Sequence, residues 1–334
     1  MHVYARHPPS KRGRTPARKP PELGFDGSSN CFLNTLCDAT TDPPQLTSAS
    51  GLLQIFARQK EYLMVSAALT GNSLRQIRMS GHGDGRLLLV PLDHSVSDGP
   101  ITTNTGFDEL ILDIVRGGAD GIVVHKGRAR LLDPGLFVTC SLIVHLSAST
   151  AQGPDSNAKV LVGGVEEAIR LGADAVSVHV NIGSDTESAQ LADLGAVAAA
   201  CDRWSMPLLA MIYPRGPRLT GPASPEQVAH VVNVAADLGA DLVKTVFAGP
   251  AERMAEVVAA SPVPVLVAGG SDSRENLPDF ARTAMAAGCR GLAVGRRVFT
   301  SPAPGKTVRE LADIVHGPGS DSVPFPSSRM AGVV

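Results

Sequence analysis

Leu238-Gly239-Ala240-Asp241-Leu242-Val243-Lys244-Thr245-Val246-Phe247 decides how this chain is read. Its first half ends a helix, because glycine takes the left-handed position that follows a last helical turn and lets the chain swing away. Its second half is an extended run, apolar on both faces as a strand covered on both sides must be. The same signature recurs at Leu171-Gly172-Ala173-Asp174-Ala175 and at Gly117-Gly118-Ala119-Asp120-Gly121. A chain that passes repeatedly from helix to buried strand is assembling βα units.

Working outward, the alternation is regular from Arg86 onward. Strands are expected at Leu87 to Asp93, Gly121 to His125, Leu142 to Leu146, Ala175 to Val180, Leu208 to Tyr213, Leu242 to Phe247, Val263 to Ala268 and Gly291 to Val294. Helical spacing fills the intervals at Phe107 to Arg116, Val165 to Leu171, Ser188 to Arg203, Pro225 to Leu238, Ala251 to Ala260 and Arg274 to Ala287, with a last helix near Lys306 to Val315. Eight such units joined by right-handed crossovers close into a (β/α)8 TIM barrel, an α/β fold. An open doubly wound sheet is the alternative, and its usual G-x-G-x-x-G turn is missing.

Lys244 is the anomaly inside that pattern. Desolvating an ammonium costs several kcal/mol unless it is paired or gives up its proton, and a buried neutral amine is a nucleophile. The plainer reading places Lys244 at a strand end with its tip in solvent.

Composition narrows the partners. With 30 Lys and Arg against 32 Asp and Glu the net charge is −2, which leaves no basic excess for nucleic acid or an anionic membrane. The 334 residues, 43% of them hydrophobic, suffice for one large barrel acting on a small molecule. Five scattered cysteines without a C-x-x-C pair suggest neither a disulfide framework nor structural zinc. No apolar run is long enough for a membrane span and no secretory signal core is present, so a soluble, cytoplasmic protein is expected. Residues 1–63 differ, being basic and proline-rich and then Ser/Thr/Asp-rich; they read as a disordered extension, with Met64 as a plausible start. The barrel is expected over 64–318, followed by a flexible tail over 319–334.

Barrel enzymes carry their chemistry where strands end, and these strand ends are polar. Gly269-Gly270-Ser271 after strand seven and Gly295-Arg296 after strand eight suit a phosphate, with backbone N–H groups and a fixed guanidinium around it. Tight turns alone would also explain the glycines. Lys244 with Tyr213 and Asp93 forms a set for Schiff-base chemistry, in which an amine condenses with a ketone and a phenol and a carboxylate move protons. A core tyrosine and a strand-end cap are the plainer readings of the latter two. His94, His125, His145 and His179 near the ends of strands one to four could instead hold a divalent metal, though hydrogen bonding to substrate hydroxyls suits them better. Lys126 competes for the nucleophile's role, but Gly127 and Arg128 beside it imply solvent and a like charge.

Val90-Pro-Leu-Asp-His-Ser-Val-Ser-Asp-Gly-Pro-Ile101, His125-Lys126-Gly127, His145-Leu-Ser-Ala-Ser-Thr150, Ser177-Val-His-Val-Asn181, Met211-Ile-Tyr-Pro-Arg-Gly216, Val243-Lys244-Thr245 and Val294-Gly-Arg-Arg-Val-Phe299 together resemble the class I aldolases of the archaeal fructose-bisphosphate aldolase type, a DeoC/LacD-like superfamily. Two branches are most similar, the 2-amino-3,7-dideoxy-D-threo-hept-6-ulosonate synthases and the actinomycete 2-amino-4,5-dihydroxy-6-oxo-7-(phosphooxy)heptanoate synthases of 3-amino-4-hydroxybenzoate formation. The resemblance covers about Ser73 to Val315. It implies an imine on Lys244, proton transfer by Tyr213 and Asp93, phosphate contacts at Gly269, Gly270, Gly295 and Arg296, no metal or other cofactor, and a ring-like homo-oligomer, often a decamer. Arg215, His179 and His94 are further substrate contacts on this reading. Where the first branch tends to carry Asp-His-Gly this chain has Asp93-His94-Ser95, which favours the second: condensation of dihydroxyacetone phosphate with L-aspartate 4-semialdehyde. The alternatives are the first branch's use of 6-deoxy-5-ketofructose 1-phosphate as donor in an alternative shikimate route, cleavage of fructose bisphosphate, and, from another class, a non-catalytic sensor of a phosphorylated metabolite.

Overall fold

The computed structural model of the chain describes residues 70–101, 106–270 and 276–317. The expected extension over 1–63, the tail over 319–334, Ser271 and the first turn expected at Arg274 lie outside these residues. In chain order the elements are α1 Gly71–Met79, β1 Leu87–Pro91, α2 His94–Ser97, α3 Phe107–Gly117, β2 Gly121–His125, α4 Lys126–Ala129, β3 Ser141–His145, β4 Ser147–Ala148, β5 Val160–Leu161, α5 Val165–Arg170, β6 Ala175–Ile182, α6 Glu187–Trp204, β7 Leu208–Pro214, α7 Pro225–Asp237, β8 Leu242–Thr245, α8 Ala251–Ala260, β9 Val265–Ala268, α9 Leu277–Ala286, β10 Gly291–Ala293, α10 Arg296–Phe299 and α11 Pro304–His316. β1, β2, β3, β6, β7, β8, β9 and β10 pair in parallel and close on one another as a barrel. β4 and β5 form a separate antiparallel hairpin.

Side chains alternate between two apolar layers, as the two-residue strand period requires. Leu87, Leu89, Val123, Ile143, Leu209, Met211, Leu242 and Leu266 fill the barrel interior, with Met79 at the end of α1 packed among them. Leu88, Val90, Ile122, Val124, Val176, Val178 and Val243 belong to the outer layer, which is covered by helix residues such as Leu110, Ile114 and Val231. Full burial of one such side chain contributes about 1.5–3 kcal/mol. Because both faces are apolar, however, that term says little about which residue points inward.

The recurrent Gly-Ala-Asp segments supply what hydrophobicity does not. Gly118, Gly172 and Gly239 all have φ between +80° and +97°, the left-handed turn that ends α3, α5 and α7. Each aspartate then grips the strand before it at both atoms of one residue. Asp120 donates its backbone N–H to the Leu88 carbonyl at 2.9 Å and accepts the Leu88 N–H on Oδ2 at 2.6 Å. Asp174 does the same with Leu142 and Asp241 with Leu208. A carboxylate clamp at the start of three strand pairs sets their register.

The strands expected from the sequence are present, three of them shorter by two residues. β1 stops at Pro91 because Asp93-His94 turns directly into α2, β8 stops at Thr245, and β9 begins only at Val265. Neither α1 nor the β4–β5 hairpin was anticipated. α1 carries a reciprocal capping box between Thr70 and Ser73, but a nine-residue helix with polar residues at most positions gives a weak period.

Asp241→Ala should strand the Leu208 N–H and the Asn72 amide, which donates to Asp241 Oδ1 at 3.0 Å. We expect a loss of about 1–3 kcal/mol in denaturant unfolding with borohydride trapping by the folded fraction unchanged; an unaltered midpoint would show that the clamp carries no stability.

Candidate active site

The strands deliver their polar residues to one end of the barrel, where a cavity of ≈ 470 Å³ opens. Lys244, Tyr213 and Asp93 all line it, as do His94, His179, Arg215, Gly269, Gly270, Gly295 and Arg296. These ten residues are therefore brought to one place, with His125 and His145 beside them. The volume suits a metabolite of sugar-phosphate size.

Lys244 is 7% exposed on the inward face of β8. Its register partner on β7 is Met211, whose sulfur lies 3.9 Å from Nζ, and Tyr213 sits two residues further along the same inward face. Among the described residues no carboxylate lies within ion-pairing distance of Nζ. Lys126, the competing lysine, is excluded from the cavity. Its Nζ pairs with Glu167 at 2.9 Å on the outside, so the like charge expected beside it is offset by a carboxylate.

Asp93 occupies the cap position of α2 but its side chain caps nothing. Its Oδ1 is buried without a hydrogen-bond partner, and so is Nδ1 of His94, 3.6 Å away. Two buried polar atoms without a protein partner beside one another are uncommon in a fold, and both residues line the cavity. Burial by itself raises the Asp93 carboxyl, but His145, His94, Lys244 and His125 around it outweigh that and hold it well below the usual carboxylate range. Burial also pushes the histidines down, His145 to about 4 despite the opposing pull of Asp93. Near neutral pH these imidazoles are thus uncharged.

The other histidines have partners of their own. His145 Nδ1 contacts Ser177 Oγ at 2.8 Å and its ring meets His125 edge-on at 5.2 Å. His179 Nε2 contacts Asn181 Oδ1 at 3.0 Å, and its ring lies 5.0 Å from Tyr213. Burial first, then Lys159, hold the His179 pKa far down. The Tyr213 ring has Arg215 stacked over its centroid at 5.0 Å.

Two rims of unlike construction face each other across the cavity. On one, a Cβ at Gly269 would meet Val294 at 2.8 Å, one at Gly295 would lie 2.5 Å from the Pro91 carbonyl and 2.7 Å from the His94 ring, and Gly270 has φ +68°. Only glycine fits there, and it exposes backbone to the space beside Arg296. Arg297 ties the two loops by donating to the Gly269 carbonyl at 3.3 Å. On the other rim are Arg215 and Lys159, a residue the sequence reading did not single out. Lys159 lies just before β5 and bonds Ser149; burial and then the nearby Arg215 lower its pKa. Nothing in Asn157-Ala158-Lys159 marks it, because the hairpin that aims it is made by distant residues. Buried Gln190 on α6 donates to the Asn157 carbonyl at 2.8 Å, and Asn181 donates to it at 3.0 Å. Gly216 is explained as well: a Cβ there would sit 1.7 Å from the Gly183 carbonyl, so the loops after β6 and β7 meet only without one.

Comparison with known proteins shows the family to which the barrel belongs. The model of the DeoC/LacD family aldolases matches residues 87–301. The chain is 52% identical over 259 residues, 77% of its length and 94% of the other protein, to the 2-amino-4,5-dihydroxy-6-oxo-7-(phosphonooxy)heptanoate synthase of Streptomyces griseus. It is 39% identical over 266 residues, 79% and 97% of the two lengths, to the 2-amino-3,7-dideoxy-D-threo-hept-6-ulosonate synthase of Halobacterium salinarum. Among solved structures, an archaeal fructose-1,6-bisphosphate aldolase with its catalytic lysine covalently bound to the carbinolamine intermediate of the substrate superposes with a TM-score of 0.68 at 27% identity, covering 74% of this chain and 100% of that one. From its first barrel strand to the loop that follows the last, this chain belongs to the DeoC/LacD family of aldolases.

Proposed function

We propose that the chain is a Schiff-base synthase that joins dihydroxyacetone phosphate to L-aspartate 4-semialdehyde, with Lys244 as nucleophile. The observation that carries the reading is the amine of Lys244, buried on the inward face of β8 at the floor of a cavity that also holds Tyr213 and the unsatisfied Asp93. The Streptomyces griseus relative is named for a heptanoate with an amine at C2, hydroxyls at C4 and C5, a ketone at C6 and a phosphate ester at C7. Breaking its C4–C5 bond in the retro-aldol sense leaves those two pieces.

The steps follow from the groups present. The Lys244 amine, unprotonated when it attacks, adds to the donor's ketone carbon to give a carbinolamine. Protonation of its hydroxyl, with Tyr213 or Asp93 as the relay, expels water and leaves an iminium. The iminium withdraws electrons, so a base removes a proton from the adjacent hydroxymethyl carbon to give an enamine. Tyr213, with the His179 ring tilted 5.0 Å from its own and Arg215 over its ring, and the ionised Asp93 make these transfers. The enamine carbon bonds to the aldehyde carbon, the new alkoxide takes a proton, and water returns to free the lysine. Gly269, Gly270, Gly295 and Arg296 hold the donor phosphate. Arg215 and Lys159 hold the acceptor's carboxylate on the opposite rim, His94 and His179 bond substrate hydroxyls, and Asp98, which also lines the mouth, faces the acceptor's ammonium. On this reading the protein works in the cytoplasm on small phosphorylated substrates, as a homo-oligomer, and its reaction uses no metal or cofactor. No helix among the described residues is long and apolar enough to cross a membrane.

Borohydride with dihydroxyacetone phosphate should fix the donor to Lys244, read by peptide mass; label elsewhere in an active preparation would sink the mechanism. Tyr213→Phe should lower kcat by about 10²–10⁴-fold, the range for losing a proton-transfer group, while still forming some trapped imine. Arg215→Ala and Lys159→Ala should raise KM for the semialdehyde by about tenfold or more, as loss of a charged hydrogen bond does, and leave KM for the donor nearly unchanged. Equal effects on both substrates would remove the division of the rims. For pH, His145 titrates at about 4 in the fold against an ordinary 6.5. Between these values the unfolded chain binds more protons, so stability falls on acidification through that window, by about 1.4 kcal/mol per pH unit for this group. His94, His125 and His179 shift the same way and add to it. Denaturant midpoints across that range should show the fall, and His145→Gln should make it shallower.

A further inference from the structure

A second constellation of ligating side chains stands at the other end of the barrel, where the strands begin. Asp120 is one of the three clamp aspartates, and its carboxylate differs from the other two in being faced by two imidazoles. Nδ1 of His82, in the loop before β1, lies 3.3 Å from Oδ1, and Nε2 of His316, the last residue of α11, lies 2.9 Å from Oδ2. The two rings stack at 3.9 Å with 21° between their planes. The side chains of Asp120 and His316 are 1% and 0% exposed. One ligand atom from each of the three residues lies within 4.8 Å of the others. A carboxylate clamp accounts for Asp120, and a hydrogen bond accounts for one histidine. Neither accounts for a second imidazole stacked on the first with its Nδ1 turned to the same carboxylate.

We propose that His82, Asp120 and His316 bind a divalent transition-metal ion of the zinc class. Two imidazoles and a carboxylate are the ligand set such ions take, with water in the fourth position. Bonds of about 2.0–2.2 Å in a tetrahedral site place ligand atoms about 3.3–3.6 Å apart; the two imidazole nitrogens lie 3.3 and 2.9 Å from the two oxygens of one carboxylate, and the three ligand atoms, within 4.8 Å of one another, draw together on a bound ion. The outer shell is in place too: Asp84 Oδ2 accepts from His316 Nδ1 at 2.9 Å, which fixes the ring with Nε2 pointing inward. His82 and Asp120 also line a cleft of ≈ 410 Å³ through which an ion enters. A bound ion joins the loop before β1, the start of β2 and the end of α11, and so staples the beginning of the barrel to its last helix. It is remote from Lys244 and independent of the reaction proposed above.

The full chain, stripped with chelator, incubated with Zn2+ alone and desalted, should retain an ion that His82→Gln and His316→Gln do not retain, and only the wild type should show a raised thermal midpoint on adding Zn2+. Asp84→Asn should bind about 10–100-fold more weakly, as loss of an outer-shell partner does. His179→Gln, at the opposite end, should bind as wild type. Co2+ should give the wild type a visible absorption band that His82→Gln lacks. Absence of a retained ion in the wild type overturns the proposal, and so does equal retention by His82→Gln. Should His316→Gln fail to fold, the His82 variant and the wild-type spectrum decide alone.

Discussion

The site depends on strand register, and register depends on three aspartates, one buried and two half-buried. In a sheet with water on one face, hydrophobicity fixes which residues point inward, since a slip of one residue turns every side chain over. Here both faces are apolar: Val243 faces the helices, Lys244 the cavity, and Thr245 is buried behind the sheet. A slip would trade valine for lysine at little hydrophobic cost and would bury an ammonium among the helices. Asp241 forbids it by gripping Leu208 through both backbone and side chain at the start of the β7–β8 pair. Placement of the Lys244 amine thus follows from a carboxylate at the far end of the same strand pair.

Charge at the cavity floor is arranged with the same economy. A single carboxylate, Asp93, stands near a single amine, and the imidazoles around them are kept neutral by burial. Had the histidines been charged, the field would favour anions at every point of the cavity. Kept neutral, they leave the fixed positive charges to the rims, Arg296 on one side and Arg215 with Lys159 on the other. In the proposed reaction this separates donor phosphate from acceptor carboxylate and directs each reacting carbon toward the middle, where Lys244 and Tyr213 lie.

Much of this was legible in the sequence, for a physical reason. Strands buried on both faces leave long apolar runs, helix ends leave glycines, and a lysine inside such a run stands out. Hence the barrel, Lys244, and the strand-end positions of Asp93, Tyr213 and the phosphate-rim glycines could be read in advance. Lys159 could not, because what aims it is a hairpin of two-residue strands fixed by Gln190 and Asn181, which are distant in sequence. The His82–Asp120–His316 group was hidden for the same reason, its members coming from a loop, a helix end and a strand start. Asp120 was visible only as part of a turn signature, and the partner that changes its meaning lies 196 residues away.

The two rims also differ in how they can vary. The glycine rim is made of positions where a single added carbon strikes backbone or a packed side chain, at Gly269 and Gly295, so its shape is fixed by the barrel itself. The opposite rim is made of side chains on the β4–β5 hairpin and the loop after β7, elements outside the sheet ladder whose residues can change without disturbing a strand. In the proposed reaction a barrel built this way would hold its donor with the scaffold and its acceptor with the loops. Changes of substrate within such a fold should therefore appear first around Lys159 and Arg215, and Gly216, pressed against the Gly183 carbonyl, limits how far that loop can move.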